Sequence, residues 1–373
     1  MKLAIISHTE HFKTSNGTIV GWSSTVNEIN HLLDIFDEIY HVAMLHAAEA
    51  PPSCLAYASS KIKFVPLKPL GGHTFQSKLH TVIQAPNVIH TVRATLKKVD
   101  CFQFRAPTGI GVFLIPYLSL FSKKKGWFKY AGNWNQEKPP IGYGIQRYLL
   151  KNQKRKVTIN GAWQNQPKHL LTFENPCLTI ADIEEGHQLV FQKSIAGKLQ
   201  FCFVGRLEKS KGVQRILEAF KLLSSAEKSR IEMLHFIGDG KEREHFESFA
   251  KDIGVPTTFH GYLSRVSVIK IYKACQGFLL PSSSEGFPKV IAEAMNFGCI
   301  PIVSNVSAIA QYIIPYKTGF IISPIHSKNV SLQVSKVLQL DDDKYRSILK
   351  NQRDMVKRFT FKYYNQRIQE EIV

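Results

Sequence analysis

None of the six cysteines (Cys54, Cys101, Cys177, Cys202, Cys275, Cys299) falls in a C-x-x-C pair. That spacing excludes a zinc ribbon and offers no disulfide framework. Most of the six sit in apolar runs, as buried thiols of a reducing compartment do. Apolar runs long enough to span a bilayer are missing too. The longest, Gly109 to Phe121, contains Pro116, and the opening MKLAIISHTE offers only Leu3 to Ile6, too short for a signal-peptide core. It reads instead as a first buried strand, and a cytoplasmic location is expected. The absence of G-x-G-x-x-G counts against a dinucleotide-dependent oxidoreductase. No metal-binding Asp-x-Asp motif is read, and neither internal repeats nor low-complexity segments are evident.

Acidic residues are scarce, above all in the first half. Residues 1–180 hold 21 Lys/Arg against 9 Asp/Glu, and residues 181–373 hold 27 against 20, within a formal net charge of +19. A surface of that sign seeks phosphate, whether in nucleic acid, anionic lipid or a diphosphate-bearing substrate. From Lys123 to Lys156 there are ten Lys/Arg and one acid, Glu137, with Trp127, Tyr130 and Trp134 interleaved. That cluster supports two readings: a nucleic-acid surface, although no known module matches it, or an interfacial membrane contact formed with the apolar segment 109–121. A plain buried helix is the alternative for that segment.

What is present is an alternation of strand and helix patterns, which argues for parallel sheets covered by helices. In the first half Leu3–Ser7, Tyr40–Leu45 and Asp100–Arg105 read as strands; Thr25–Phe36 and Val88–Val99 read as helices by their apolar spacing. Gly17 lies in a loop at a strand end, where ligands of open sheets bind. Arg105 is expected to project from a strand end toward an anionic group.

The second half is organised around Pro281 to Gly298, PSSSEGFPKVIAEAMNFG. Gly277–Leu280 reads as a buried strand and the serines as loop. Pro288 suits a helix's first turn, Val290, Ile291, Ala294 and Met295 form its apolar face, and Gly298 suits a left-handed cap. Such a helix start presents N–H groups and a positive dipole to phosphate. Glu285 and Glu293 bracket the unit and suit sugar hydroxyls; the bland alternative makes Glu285 a cap and Glu293 a solvated helix residue. Upstream, Arg206 and Lys211 flank a turn in GRLEKSKG at the end of strand Lys198–Val204, where two cations can grip a diphosphate.

The stretch 281–298 resembles the donor-site motif of glycosyltransferase family 4, retaining enzymes of the GT-B fold and of the bacterial surface-polysaccharide type. GRLEKSKG and Gly238-Asp239-Gly240 are similar to further family motifs, and the likeness is strong over about 198–325. The resemblance implies two Rossmann-like domains facing across a cleft. The N-terminal acceptor domain would occupy 1–175, a linker 176–197 and the nucleotide-sugar domain 198–357, with a C-terminal helix, 358–373, crossing back to the first domain. It implies Arg206, Lys211 and Glu285 as catalytic residues. Donor contacts would come from Gly205, Gly238, Gly261, Gly286, Phe287, Pro288, Lys289 and Val290, and from Glu293 on the ribose.

Two departures stand out. Gly132 and Asn133 occupy the place where many relatives carry a histidine, leaving Asn133 with Gly17 and Arg105 as acceptor-side positions and His8, His11 and His90 as alternatives. Ser307-Ala308 replaces a usual Gly pair. The function implied is transfer of a sugar from a nucleotide diphosphate sugar, UDP-linked by expectation, to a hydroxyl of a lipid-linked or growing glycan in capsule, exopolysaccharide or lipopolysaccharide synthesis. No cofactor or metal is expected, and peripheral contact with an anionic membrane is. A sugar-nucleotide epimerase of the same fold and a non-catalytic nucleic-acid binder are the rival readings.

Overall fold

The computed structural model describes residues 1–72 and 74–373. The chain divides into two compact units, Met1–Glu174 joined by Tyr363–Val373, and Asn175–Lys362. Each is built on its own largely parallel sheet. Among the described residues no helix is long and apolar enough to cross a membrane.

Among its described residues the first unit has nine strands: β1 (Lys2–Lys13), β2 (Ile19–Trp22), β3 (Glu38–His46), β4 (Cys54–Ala56), β5 (Ile62–Leu67), β6 (Cys101–Ala106), β7 (Lys125–Tyr130), β8 (Val157–Ile159) and β9 (Leu170–Thr172). Seven run parallel in the order β5-β3-β1-β6-β7-β8-β9. Both faces of that sheet are covered, so β6 is buried almost throughout. Its Phe102 and Phe104 enter the core beneath the helices Ala85–Leu96 and Gly111–Leu120, while Cys101 joins the core beneath Ser23–Leu32. The helix Phe361–Glu371 brings Tyr364 and Ile368 into that second core from the far end of the chain.

Four expectations are revised or narrowed here. The strand β1 is longer than Leu3–Ser7: an irregularity between Ile6 and Glu10 lets it continue to Lys13 and pair antiparallel with β2. Gly17 is therefore the tip of a β-hairpin, at a positive φ of 86° with its N–H bonded to Thr14. The segment 109–121 is a helix that buries Leu114, Ile115 and Leu118, leaving Leu120 and Phe121 exposed at its end. Trp127, Tyr130 and Trp134, read as interleaved with the basic cluster, are buried in the core, where they cannot stack on bases.

Arg105 is likewise turned inward. Its guanidinium donates to Glu28 Oε1 at 2.7 Å and to Gln103 Oε1 at 2.8 Å, and Lys129 Nζ reaches the same Glu28 oxygen at 2.6 Å. Two cations on one buried carboxylate form a closed ionic cluster, so Arg105 is committed inside the unit and is not the outward-facing acceptor cation expected of it.

The second sheet holds six parallel strands, β10 (Leu199–Val204), β11 (Ile231–Ile237), β12 (Thr257–Phe259), β13 (Gly277–Leu280), β14 (Ile300–Ser304) and β15 (Phe320–Ile322), in the order β12-β11-β10-β13-β14-β15. The segment read as a linker belongs to this unit: Ile180–Val190 is a helix opened by a capping box between Thr179 and Asp182. Phe201, Phe203, Phe220 and Phe236 are fully buried around β10. At about 1.5–3 kcal/mol for each such side chain, these rings alone fix the centre of the sheet. Consecutive strands at this centre leave their connecting loops together at one edge, and that edge carries the motifs singled out above.

Candidate functional site

The loops after β10, β11, β12 and β13 are tied into one assembly by main-chain bonds. Gly205 N–H donates to Ile237, Leu207 N–H to Asp239, and Gly238 N–H to Gly261, all at 2.9–3.0 Å. The turn Lys209–Lys211 packs on the serine-rich loop, where Ser283 N–H donates to the Ser210 carbonyl at 2.8 Å. Gly212 makes this approach possible. It has a φ of 88°, and a Cβ there would lie 2.3 Å from the Pro281 carbonyl oxygen, so only glycine fits. Gly205, Gly238, Gly261 and the 281–289 loop, expected together from the sequence, are thus neighbours in space.

Lys211 and Glu285 meet directly, with Nζ 2.6 Å from Oε1. Both are largely shielded, and the Glu285 side chain is only 11 % exposed. This excludes the bland reading of Glu285 as a solvent-facing cap: the helix that follows, Lys289–Asn296, is preceded by Pro288 in extended conformation and has no side-chain cap. Pro288 precedes the helix instead of opening its first turn. The helix ends as expected. Gly298, at φ 78°, donates to Met295, and Cys299 N–H donates to Ala294, the paired bonds of a Schellman cap.

Arg206 stands apart from Lys211 in character. It pairs with Glu208 at 3.0 Å and its side chain is 67 % exposed, a cation at the rim of the same loop. Phe287 turns its ring into the core against Phe359 and Tyr312, with ring centroids 4.8 and 4.7 Å away. What it offers a ligand is main chain. Pro288, Lys289 and Val290 are half-buried at the helix start, with Gly286 just before them.

Glu293 is neither solvated nor alone. Burial raises its carboxyl above the usual range, and Arg265 and Lys289 pull the other way. Arg265 Nε lies 4.0 Å from Glu293 Oε1. Arg265 is itself held by both Asp182 oxygens, at 3.2 and 2.8 Å, and by the Cys177 carbonyl. Burial acts to raise the Asp182 carboxyl, but the bonds from Arg265 and Thr179 outweigh it and hold the acid low. The sequence reading missed Arg265 and Asp182, which lie 83 positions apart with no spacing rule to join them. It also missed Arg215, which donates to the Pro281 carbonyl and Ser283 Oγ at 2.9 Å and so braces the serine loop.

The Asp-x-Asp spacing does occur, at Asp341-Asp342-Asp343. Its acids serve helix capping and loop anchoring: Asp341 accepts from Lys344 N–H at 2.8 Å and Asp342 from Ile195 N–H at 2.9 Å. Among the described residues no group of three or more His, Cys, Asp or Glu is placed to hold a metal ion.

In the first unit the acceptor-side residues are dispersed among structural roles. Asn133 follows β7, and its Oδ1 accepts from Asn135 N–H at 3.1 Å. His8 bonds the Leu70 carbonyl, and His90 is exposed on its helix. His11 belongs to a buried relay. Its Nδ1 donates to the Thr9 carbonyl, so its Nε2 accepts from Tyr57 Oη at 2.8 Å; Tyr57 accepts from His41 Nδ1 at 2.7 Å, and His41 Nε2 takes the Ser7 hydroxyl at 2.8 Å. The Ser7 hydroxyl also lies 3.0 Å from Thr9 Oγ1. Burial depresses His11 to about 4 and His41 well below its usual value.

Comparison with known proteins places this geometry. Residues 188–355 match the family described as glycosyl transferases group 1. The lipopolysaccharide 1,6-galactosyltransferase of Salmonella typhimurium is 36 % identical over 110 residues, covering 28 % of this chain and 29 % of that protein. The chain spans half or less of the length of curated relatives it matches. Among solved structures, sucrose-phosphate synthase from Thermosynechococcus elongatus superposes with a TM-score of 0.71 at 16 % identity, over 99 % of this chain and 98 % of that one. Anabaena Alr3699/HepE in complex with UDP does so at 0.69 and 15 %, over 99 % of both. The chain has the GT-B fold, and its segment 188–355 carries the sequence pattern of glycosyl transferases group 1.

Proposed function

We propose that the protein is a retaining glycosyltransferase. It moves a sugar from a nucleotide diphosphate sugar, UDP-linked by preference, to a hydroxyl of a lipid-linked or growing glycan. The observation that carries this reading is the Lys211–Glu285 pair at the junction of the two loops, 2.6 Å apart and shielded. A cation and an anion held side by side suit the two ends of one substrate. Lys211 has three N–H donors and Glu285 takes one, so the ammonium can also serve a diphosphate while the carboxylate receives sugar hydroxyls.

In the reaction the bond from the sugar's anomeric carbon to the diphosphate oxygen breaks and one to the acceptor oxygen forms. The acceptor's proton leaves with the nucleotide product or to solvent. Negative charge grows on the departing diphosphate. Lys211, Arg206 from the rim and the N-terminus of Lys289–Asn296 stabilise it without reorganising, which is the largest catalytic contribution such a site makes. The reading requires no metal. Glu293, carried by Arg265, would take the ribose hydroxyls. The UDP seen in the Anabaena structure and the galactosyl transfer named for the Salmonella relative support the substrate class. A place at the cytoplasmic face of the cell membrane, in capsule, exopolysaccharide or lipopolysaccharide assembly, suits an acceptor of that kind.

The test is a panel of nucleotides and nucleotide sugars scored by the shift in melting temperature, since a ligand of the native state alone stabilises it. UDP and at least one UDP-sugar should raise the melting temperature of the parent and leave Lys211→Ala unmoved. A panel in which no nucleotide protects the parent would sink the reading.

A further inference from the structure

The helices Phe75–Ile83, Ala85–Leu96, Gly111–Leu120 and Ile141–Lys151 lie side by side in the first unit. The last three share the core that holds Val92, Leu114 and Leu150. The outer surface of this layer is unusually apolar. In Phe75–Ile83 the apolar residues Phe75, Leu79, Val82 and Ile83 recur at i, i+4, i+7 and i+8, the stripe that ordinarily faces a core. Here all four are exposed, Phe75 by 80 %. The residue this helix buries is Thr81, whose hydroxyl donates to the Ser77 carbonyl and accepts Gly71 N–H, at 2.8 and 3.1 Å. Its amphipathicity is inverted. Leu120 and Phe121 at the end of the third helix are also exposed, as are Ile141 and Tyr148 on the fourth. Single exposed apolar residues mean nothing, but a helical stripe accompanied by two more groups on one layer marks a docking surface.

The charge around it identifies the occupant. Between Glu49 and Lys156 the only acids are Asp100 and Glu137, against 18 Lys/Arg. Lys78 lies within the striped helix, Lys123 follows Phe121, Lys138 precedes Ile141 and Lys151 ends the fourth helix, all of them exposed. A second copy of the chain would bring lysine against lysine. A polynucleotide would satisfy the lysines but leave the aliphatic stripe in water. An anionic bilayer meets both demands, with acyl chains for the stripe and headgroup phosphates for the ammonium groups, whose flexible stems reach past the apolar residues.

We propose that this helical layer seats the protein on an anionic membrane surface, with the Phe75–Ile83 stripe at acyl-chain depth and Leu120, Phe121 and Ile141 beside it. This goes beyond the sugar-transfer reading and does not depend on it. The surface differs from the contact formed by the apolar segment 109–121 that the sequence suggested, since Leu114, Ile115 and Leu118 of that segment are core.

The full chain is sedimented with vesicles of phosphatidylcholine alone and of phosphatidylcholine mixed with phosphatidylglycerol, at low and high salt. Val82→Ser/Ile83→Ser and Ile141→Ser are compared with the parent after their melting temperatures are checked to be native. The parent should pellet with the anionic vesicles. The double variant, with every lysine intact, should lose about ten-fold or more in bound fraction at low salt. The fluorescence of Phe75→Trp should be quenched by brominated acyl chains. The proposal is overturned if the parent stays in the supernatant, or if the variants pellet as the parent does. It is equally overturned if the double variant differs from the parent only in self-association, or if duplex DNA is bound with the same sensitivity to these substitutions.

Discussion

Lys211 Nζ and Glu285 Oε1, 74 positions apart in sequence, lie 2.6 Å from each other where the turn after β10 meets the loop after β13. Neither side chain reaches this place without the other loop. Two shielded charges that meet at a seam between loops are expensive to keep unless something uses them.

Lys211→Ala should therefore lower sugar transfer by about a hundred-fold or more, the scale of losing one preorganised charge at a leaving group. The melting temperature should fall, because the shielded Glu285 loses its partner, while the fold is retained. Glu285→Gln should also cut turnover strongly while leaving the affinity for UDP itself close to that of the parent. Steady-state kinetics beside nucleotide titration separate the two effects. A Glu285→Gln enzyme within a few-fold of the parent would reduce that carboxylate to a partner for Lys211.

Gly212→Ala is expected to be costly, because Gly212 is buried between the two loops. The left-handed φ and the Pro281 carbonyl both oppose a Cβ. Together they should remove at least about 2 kcal/mol of stability, visible as a lower urea midpoint, and weaken nucleotide binding by parting the two loops. A midpoint unchanged from the parent would contradict the close approach.

Glu293→Gln should stabilise the protein near neutral pH. Burial raises the folded carboxyl's pKa above 4.5, so the cost of holding its charge is fully present above the raised pKa. It fades as the pH falls through that value toward the unfolded one. The melting temperature of the variant should exceed the parent's at pH 8, and the two curves should converge in acid. A constant offset across the pH range would point to packing instead of charge.

For the Ser7–His41–Tyr57–His11 relay the sign is the opposite. The unfolded histidine titrates near 6.5 and the folded His11 near 4, so between those values the unfolded chain binds the extra proton and stability falls as pH falls. For His11 alone the loss is about 2 kcal/mol by pH 5. Chemical unfolding at pH 7 and pH 5 should show it, and His11→Gln should flatten the dependence.

The sequence was most legible where local chemistry decides the outcome. Strand β13, the loop Pro281–Pro288 and the Gly298 cap could be read from glycine, proline and apolar spacing, because those residues act on their own backbone. The clustering of Gly205, Gly238 and Gly261 was accessible through the βα alternation, which delivers strand ends to one edge. Partnerships were not. Arg105 looked like an emerging cation because nothing in its neighbourhood announces Glu28, 77 positions away. The ion-pair partners of Glu293 were not legible because Arg265 and Asp182 come from other helices. The helix Phe75–Ile83 was missed outright: its only buried residue is a threonine, so the usual link between apolar stripe and core is reversed.

The last helix has a consequence for how the molecule is made. Tyr364 and Ile368 complete a core begun by Leu3 and Ile5, and Asn365 caps the exchange by donating to the His31 carbonyl at 2.6 Å. During synthesis the leading segment must therefore wait, with a greasy slot open beneath the helix Ser23–Leu32, until some 190 residues of the other unit have left the ribosome. Expressed alone, residues 1–174 would carry that slot permanently and be prone to clump, whereas residues 175–362 close on themselves.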